Sequence, residues 1–175
     1  MAESSEDNVK PLKPHYILSG DRVELLPYVE SMIPIYQEWL EDEQLRELTC
    51  SDEMTVEEHK DVQRGYLTDE TRYIFIIADR ELEKKSTSQP ELDTLLPKGS
   101  LVGDINLFKN VDPNIEQDHC EINIMIADKR ARGTNVATEA LTVCLQWAVL
   151  MLDCELFMVK IKRENIRAVK FFEKF

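Results

Sequence analysis

Blocks of apolar residues, separated by polar turns, follow one another along the first half of the chain. Tyr16–Leu26 holds two short apolar runs on either side of Ser19–Asp21, which predicts a β-hairpin. Met32–Leu40 places apolar side chains three and four residues apart, which predicts a helix. Thr55, with a glutamate three positions later, matches a capping box and predicts a second helix that ends near Tyr66.

The second half of the chain alternates between strand-like and helix-like patterns. The predicted elements are a buried strand over Thr71–Ala78, an inserted loop over Arg80–Ser100, strands over Leu101–Phe108 and Cys120–Ile126 joined as a hairpin, a helix over Val136–Leu152, a strand over Leu156–Ile161 and a helix over Ile166–Phe175. Strands and helices mixed around one sheet are typical of an α/β or α+β domain. We expect residues 14–175 to form this one domain and residues 1–13 to be a disordered tail.

Length and composition exclude several classes of protein. A chain of 175 residues with 43% hydrophobic side chains is long enough for one well-buried core. The longest nearly apolar stretch, Val143–Leu152, is shorter than the ~18 residues of a membrane span, so we expect no membrane segment. The first residues are acidic at Glu3, Glu6 and Asp7 and hold no apolar run, so we expect no secretory signal. The expected location is the cytoplasm, with the nucleus as the alternative.

The cysteines give no sign of a metal site or a disulfide framework. No two of them stand at metal-ligand spacing, and the three histidines are scattered, so we expect no metal. Cys144 lies in an apolar helical run and is predicted to be a core residue. A Cys–His nucleophilic pair stays open at this level, although no local signature supports one. The cysteines are Cys50, Cys120, Cys144 and Cys154.

Charge is distributed unevenly along the chain, whose formal net charge is −13. Residues 1–60 hold 15 acidic and 5 basic side chains, whereas residues 129–175 hold 9 basic and 5 acidic ones. This asymmetry suits a protein that meets a cation on one side and an anion on the other, and the alternative is an acidic surface that only serves solubility. No basic stripe interleaved with aromatic residues is present, so we expect no nucleic-acid binding.

Polar side chains share one face of the predicted hairpin. In the second strand Glu121, Asn123 and Met125 lie on the face opposite the isoleucines, and in the first strand Asp104 and Asn106 fall together. The hairpin therefore gathers two carboxylates and two amides. A buried polar group of this kind is typical of a site that moves protons, and the alternative is a face that is simply solvated.

A basic turn follows directly and leads into the long helix. Residues 128–137 read Asp-Lys-Arg-Ala-Arg-Gly-Thr-Asn-Val-Ala. The free N–H groups and the dipole at the start of a helix favour an anion, so this turn is a candidate phosphate site.

At this point the sequence resembles the GNAT acetyltransferase superfamily, whose cofactor loop reads R/Q-x-x-G-x-G/A. Arg132, Asn135 and Ala137 fall on that pattern, and residues 165–175 are similar to the later family segment N-x-x-A/S followed by an F-E-K helix. Within this superfamily, the sequence most resembles the N-acetyltransferase 9 branch. The segments that carry this resemblance are Gly20–Tyr28, Leu48–Thr49, Val102–Phe108 and Ile124–Ala127.

The resemblance implies an enzyme that transfers an acetyl group from acetyl-CoA to an amine by direct attack in a ternary complex. It implies an acceptor that is a protein or peptide N-terminus, a lysine or a polyamine-like amine. Glu121, eleven residues before Arg132, matches the family's glutamate base, and Asp104 is the second candidate. The implied cofactor-binding residues are Met125 and Ile126 for the pantetheine arm, Arg132, Gly133, Thr134, Asn135, Val136 and Ala137 for the pyrophosphate, and Asn165 at the next strand end.

Three features depart from the family pattern. Asn135 stands where the central glycine is usual, and Phe172 stands where many members have a tyrosine that protonates the leaving thiolate. The chain also stops at Phe175, so we expect a GNAT-like mixed sheet flanked by helices that lacks the last two strands of the family. A homodimer or a strand-completing partner is the accompanying expectation. The alternative function is a non-catalytic or weakly active module that keeps the fold and the cofactor site.

The resemblance also implies a role for the acidic residues of the first half of the chain. In GNAT enzymes the helix–loop–helix that corresponds to residues 38–61 borders the entrance for the acceptor. The many carboxylates in this segment are then expected to attract a cationic acceptor, whereas the basic end beyond Lys129 meets the anionic cofactor.

Overall fold

The computed structural model describes residues 15–85 and 100–175, and within these ranges six strands form one sheet. The strands are β1 Leu18–Ser19, β2 Val23–Pro27, β3 Arg72–Asp79, β4 Leu101–Lys109, β5 His119–Ile126 and β6 Leu156–Met158. Neighbours in the sheet follow chain order from β1 to β6. Each neighbouring pair is antiparallel except β5 and β6, which are parallel, so the sheet is mixed as expected.

Helices connect and cover the strands. The α-helices of the described residues are α1 Ile33–Leu40, α2 Glu43–Thr49, α3 Val56–Thr68, α4 Arg80–Lys85, α5 Val136–Leu152 and α6 Ile166–Phe172, with short 3₁₀ turns at Glu30–Met32 and Lys129–Ala131.

Local sequence signals correctly located the first hairpin and most of the helices. Leu18 lies opposite Leu25 in the β1–β2 pair. The capping box is present, because Thr55 Oγ1 accepts from the Glu58 N–H at 3.3 Å while Glu58 Oε2 accepts from the Thr55 N–H at 2.7 Å. The long helix α5 has the predicted bounds, and Cys144 is fully buried within it.

Two helices were not predicted. In α2 only Leu45 and Leu48 are apolar, which is too few for a visible period, but the Asp42 side chain caps the helix by accepting from the Leu45 N–H at 3.2 Å. The inserted loop expected from residue 80 instead begins with α4, where Asp79 Oδ1 accepts from the Glu81 N–H at 2.9 Å. The rest of that expected loop, residues 86–99, and the expected tail lie outside the described residues.

The larger apolar cluster lies between α5 and one face of the sheet. Trp147 meets the rings of Tyr16, Tyr73 and Phe75 at centroid distances of 5.2, 5.2 and 5.1 Å. Leu141 is 1% exposed within the same cluster. Truncating such a side chain to alanine typically destabilises a protein by about 2–5 kcal/mol. Packing between α5 and this face of the sheet is therefore a major source of the stability of the fold.

The opposite face of the sheet is covered by α1, α2 and α3. Ile33 of α1 packs with Leu26 and Ile76 in a second buried cluster. Leu45 of α2 packs against Met125 of β5 in a third. The face that carries the predicted polar side chains is therefore covered by helices over part of its area.

The strands β5 and β6 separate partway along their length. Their parallel pairing runs from His119 opposite Leu156 to Glu121 opposite Met158 and then stops, whereas β5 continues to Ile126. The predicted strand to Ile161 was therefore too long, because beyond Met158 the chain moves away from β5 and has no ladder to join. The separation leaves one edge of the last residues of β5 without a neighbouring strand among the described residues.

Gly103 allows β4 to approach β5 closely at this point. A Cβ atom at Gly103 would clash with the backbone carbonyl oxygen of Met125. Gly65, in contrast, lies in α3, and a Cβ atom added there would meet no other atom within 4 Å. The two glycines therefore have different roles, although each lies inside a regular element.

Replacing these glycines by alanine should shift stability in opposite directions. Gly103→Ala should lower the free energy of unfolding by about 1–3 kcal/mol, because strand backbone must move to make room. Gly65→Ala should raise it by about 0.5–1 kcal/mol, because alanine loses less backbone entropy in a helix. Urea unfolding of both variants checks this, and equal effects in the two variants contradict the role given to Gly103.

Candidate functional site

Two cavities meet where β5 and β6 separate. We call the first the inner cavity, a space of about 280 Å³ between the polar sheet face and α1–α3. The second, the outer groove, has a volume of about 710 Å³ and runs along the end of β5, the loop after it and α6. The residues that line both are Leu48, Thr49, Ile124, Met125, Asn165, Ala168 and Phe172. The two spaces therefore adjoin each other at the separation of the strands.

Most of the predicted cofactor-binding residues lie in the outer groove, and two do not. Val136 is fully buried in the core, and Thr134 is absent from the described residues that line the groove. The Thr134 hydroxyl donates to the Ala131 carbonyl at 2.6 Å, so its side chain serves the loop itself. The predicted residues that do line the groove are Met125, Ile126, Arg132, Gly133, Asn135, Ala137 and Asn165.

The loop before α5 adopts a conformation that suits small residues. Gly133 has a φ of 75° and Asn135 a φ of 71°, both in the left-handed region that glycine and then asparagine tolerate best. Asn135 is the N-cap of α5 but makes no side-chain capping hydrogen bond. The first N–H groups of a 17-residue helix therefore have no side-chain acceptor at the cap and face an open groove, which is the arrangement that binds phosphate.

Arg132 holds the loop to the strand that precedes it. Its Nε donates to the Ile126 carbonyl at 2.9 Å, and its Nη2 donates to the Ala127 carbonyl at 3.0 Å. Asn165, across the groove, caps α6 by accepting from the Ala168 N–H at 3.2 Å. Both predicted residues thus reach the site, and both shape backbone as well as lining the groove.

The inner cavity contains a buried carboxyl group. Asp104 is 1% exposed and Asn106 8% exposed, so this part of the polar face is not solvated. Asp104 Oδ2 accepts from the Tyr36 hydroxyl at 3.2 Å and from the Asn106 side-chain amide. Asp104 Oδ1, Asn106 Oδ1 and the Tyr28 hydroxyl have no hydrogen-bond partner within the described part of the chain. Buried polar atoms are normally paired, so these three atoms can take hydrogen bonds from water or from a polar ligand in the cavity.

Burial sets the protonation of this group. Loss of hydration raises the pKa of Asp104 to about 7, although the hydrogen bonds from Asn106 and Tyr36 favour the ionised form. Burial also raises the pKa of Tyr66 to about 12 and that of Tyr36 well above its usual value, and in each the Asp104 charge adds to the effect. The tyrosines therefore stay protonated while the carboxyl group titrates near neutral pH.

The register of the sheet places Asp104 directly opposite Met125, one of the residues that line both cavities. Asn106 lies opposite Asn123, and both line the inner cavity. The alternation of the hairpin therefore predicted correctly which side chains share a face.

The structure does not bring Glu121 into either cavity. Its Oε2 lies 2.6 Å from Lys160 Nζ, and its side chain is 14% exposed. Glu121 is opposite Phe108 on β4 and is absent from the described residues that line the two spaces. Met125 is four residues further along β5, about 13 Å in an extended strand.

Sequence reasoning missed the tyrosines that surround Asp104. Tyr36 was part of a predicted helix, and nothing in its spacing indicated that its hydroxyl would reach a carboxylate 68 residues later. Tyr28 and Tyr66 line the same cavity. Thr49 was noted only within a short family match, because the helix that carries it was not predicted. A local pattern gives no signal for such contacts between distant elements.

The acidic residues of α2 and its flanks are mostly exposed and partly paired. Asp42 Oδ2 lies 3.5 Å from Lys129 Nζ beside the basic loop, and Arg46 lies 2.8 Å from Glu53. Glu43 and Glu47 are exposed. Leu48 and Thr49 at the end of α2 line both cavities, so these carboxylates lie on an element that borders the site.

Neither a metal cluster nor a membrane-spanning helix is found in the described part of the chain. Within residues 15–85 and 100–175, no group of three or more His, Cys, Asp or Glu side chains is placed to hold a metal ion. None of the helices in the same ranges has the length and apolar character required to cross a bilayer.

Comparison with known proteins gives consistent results. A family model described as an acetyltransferase (GNAT) domain matches residues 22–175. The alpha/beta-tubulin-N-acetyltransferase 9 of Drosophila melanogaster is 37% identical over 158 residues, covering 89% of this chain and 75% of that protein. The human protein of the same name is 32% identical over 164 residues, covering 93% and 75%.

Solved structures resemble the fold. A spermidine N-acetyltransferase from Vibrio cholerae, in complex with CoA and spermine, superposes with a TM-score of 0.68 at 13% identity, covering 89% of this chain and 80% of that one. A GNAT-family acetyltransferase from Bacillus anthracis gives a TM-score of 0.64 at 13% identity, covering 91% and 81%. At these identities the likeness concerns the fold.

The raised pKa of Asp104 should appear in the pH dependence of stability. A carboxyl group whose pKa is raised by folding contributes stability that is full below about pH 4 and is lost as pH rises through about 7. Asp104→Asn should remove this decline, because an amide does not titrate. Urea midpoints of both proteins at several pH values between about 4 and 8 check this, and parallel curves for the two contradict burial of the carboxyl group.

Proposed function

The chain belongs to the GNAT acetyltransferase family, and from this premise we propose that it transfers an acetyl group from acetyl-CoA to a primary amine, with Asp104 as the proton acceptor. The observation that carries the proposal is the position of Asp104, a buried carboxyl group opposite Met125 where the inner cavity joins the outer groove. Two adjoining spaces, one for each substrate, support direct attack in a ternary complex.

The outer groove fits the cofactor. Its left-handed residues Gly133 and Asn135 and the uncapped start of α5 suit a pyrophosphate. The edge of β5 beyond Glu121 is free of β6, and we assign the backbone near Met125 and Ile126, whose carbonyl also accepts from Arg132, to an extended pantetheine arm that pairs as a further strand does. Acetyl-CoA, when bound there, supplies an acyl group activated as a thioester.

Proton transfer is assigned to the inner cavity. An acceptor ammonium that enters it gives one proton to Asp104, and the freed amine nitrogen forms a bond to the acyl carbon while the carbon–sulfur bond breaks. The nitrogen then gives its second proton to water, which leaves a neutral amide and a thiolate. Tyr36 and Asn106 hold the carboxylate in place through Oδ2, which leaves Oδ1 to face the amine. The thiolate takes its proton from water, since Phe172, which lines both cavities, has no hydroxyl group.

The contacts of the two candidate bases support the opposite order from the one that the resemblance implied. Family resemblance put Glu121 first, but Glu121 forms an ion pair with Lys160 and does not line the inner cavity. Asp104 lies within it and titrates near the pH at which a general base works best. We therefore propose Asp104 as the base and Glu121 as a residue that stabilises the start of the β5–β6 separation.

The inner cavity suits an acceptor with one ammonium group. Among the described residues that line this cavity, Asp104 is the single acidic side chain. The basic side chains that line it are His59, Lys160 and Lys162. A base with a pKa near 7 is better matched to an α-amino group, at about 8, than to a lysine, at about 10.4. The relatives named tubulin-N-acetyltransferase agree with a protein acceptor, and we propose a peptide or protein N-terminus.

The second candidate function is a cofactor-binding module without turnover. It is favoured by one observation, the absence of a tyrosine hydroxyl at Phe172, which leaves the thiolate without a protein acid at that position. Cofactor binding without release of free thiol in the presence of amines distinguishes it from the enzyme.

Two isosteric variants test the assignment of the base. Asp104→Asn should lower kcat by about 100-fold or more and leave CoA affinity nearly unchanged, because only the proton acceptor is lost. Glu121→Gln, the matched control on the same sheet face, should keep kcat close to that of the parent chain. Thiol release from acetyl-CoA with a peptide acceptor measures both, and a large loss in Glu121→Gln with none in Asp104→Asn returns the role to Glu121.

An acceptor panel tests the single-amine preference. A short peptide with a free α-amino group should be acetylated with a kcat/KM at least about 10-fold above that of spermidine or of an N-blocked peptide with one lysine, because each of these mismatches the charge or the pKa of the cavity. Mass spectrometry of the products identifies the acetylated nitrogen. Preference for spermidine contradicts the proposal.

A further inference from the structure

Arg22 links the first hairpin to the loop of the outer groove. It lies between β1 and β2, yet its Nη1 donates to the Thr134 carbonyl at 3.1 Å, more than a hundred residues away in sequence. None of its atoms lines the groove among the described residues, so it does not meet a ligand there directly.

A buried carboxylate orients the Arg22 guanidinium. Arg22 Nε donates to Asp79 Oδ1 at 2.9 Å and Nη2 donates to Asp79 Oδ2 at 2.7 Å, a bidentate pair with a carboxylate that is 0% exposed. Burial acts to raise the pKa of Asp79, but the Arg22 hydrogen bonds and charge, together with the backbone N–H groups of Glu81 and Leu82, outweigh it, so the net pKa is lowered and the pair stays ionised. A bidentate pair of this kind fixes the plane of the guanidinium, and only Nη1 is left to reach outward.

A second link joins the same hairpin to the start of α5. Glu139 lies in the first turn of that helix, and its Oε1 accepts from the Arg22 N–H at 2.8 Å and from the Val23 N–H at 3.2 Å. A Cβ atom at Gly20 would clash with this carboxylate, so the hairpin turn packs tightly on it. The hairpin therefore holds the chain on both sides of Asn135.

The carbonyl that Arg22 holds determines where the next N–H points. In a planar trans peptide the C=O and the following N–H point in opposite directions. The Thr134 carbonyl points to Arg22, which does not line the groove among the described residues, whereas Asn135 does line it. We therefore infer that the Asn135 N–H of the same peptide points toward the groove. Arg22 thus acts, through the Thr134–Asn135 peptide, on a backbone donor of the loop.

Electrostatic attraction between Arg22 and an anionic cofactor does not account for this arrangement. The Arg22 guanidinium is neutralised by Asp79, and Glu81 Oε2 lies 3.4 Å from Nη1. With Glu139 bonded to the Arg22 backbone, the cluster carries a net negative charge and offers no attraction to an anion. Any contribution of Arg22 to cofactor binding must therefore come from the way it positions the loop backbone.

We propose that Arg22, oriented by Asp79, is a positioning residue for the cofactor pyrophosphate, because it fixes the Thr134–Asn135 peptide with its N–H aimed into the outer groove. This inference rests on the proposed binding of CoA in that groove. It predicts that the loss of Arg22 weakens only those ligands that carry a pyrophosphate.

The test compares CoA with pantetheine, which lacks the pyrophosphate and nucleotide, by calorimetry on the full chain. Arg22→Met keeps the aliphatic stem and should weaken CoA by about 10-fold or more, in the range of one lost charge-assisted hydrogen bond, while pantetheine affinity stays unchanged. With acetyl-CoA the KM should rise and kcat at saturation should stay near that of the parent chain. The CoA affinity of Arg22→Lys should lie between those of the parent chain and Arg22→Met, because lysine keeps the charge but cannot make the bidentate hydrogen bonds of a guanidinium.

Arg80→Met is the matched control. Arg80 also holds the first hairpin, through Glu24 at 2.6 Å and the Gly20 carbonyl at 2.8 Å, but it makes no bond to the loop among the described contacts. The Arg80→Met variant should therefore lower the stability of the protein much as Arg22→Met does, and it should leave CoA affinity unchanged. Should Arg22→Met fail to fold, Arg22→Lys carries the same comparison, with a smaller loss for CoA and none for pantetheine.

The outcomes that overturn the inference are distinct from those that overturn the function. If the parent chain binds no CoA, the proposed function fails and the inference fails with it. If the parent chain binds CoA and the Arg22 variants bind it equally well, or lose CoA and pantetheine in the same proportion, only the positioning role is overturned. An equal loss of CoA affinity in Arg80→Met also overturns it, since the effect is then one of general hairpin stability.

Discussion

The separation of β5 from β6 beyond the Glu121–Met158 pair is the constraint on which the rest of the site depends. If the two strands stayed paired to their ends, the edge of β5 near Met125 would be filled by a neighbouring strand. Because they separate, the inner cavity and the outer groove adjoin each other there, and Met125 is among the residues that line both. The close approach of β4 to β5 at Gly103 then keeps Asp104 beside that junction.

Burial of Asp104 is unfavourable for folding at neutral pH, and the surrounding side chains reduce that penalty without removing it. Tyr36 and Asn106 satisfy one carboxylate oxygen and leave the other unpartnered among the described residues. A fully satisfied carboxylate would stay ionised and be a weak base, whereas an unassisted one would remain protonated. The partial satisfaction therefore places its pKa near 7, where a proton can be accepted and released.

The sequence predicted the parts of this arrangement that depend on local period. Strand alternation placed Asp104 and Asn106 on one face, and the basic turn before α5 indicated an anion site, because both follow from neighbouring residues. Alternation does not reveal whether a second layer covers a face, so it left open whether Asp104 was solvated. The pairing of Glu121 with Lys160 and the reach of Arg22 to Thr134 depend on the folded chain, and no local pattern encodes them.

Loss of the amine proton to the buried carboxyl group of Asp104 is the central step of the proposed reaction. The most direct measurement is kcat as a function of pH with a saturating peptide acceptor and saturating acetyl-CoA. We expect kcat to rise about 10-fold per pH unit below a midpoint near 7 and to be level above it, because only ionised Asp104 accepts the proton. A profile that is flat from about pH 5.5 to 8.5 contradicts this step, since a base with the raised pKa then plays no part in the rate-limiting step.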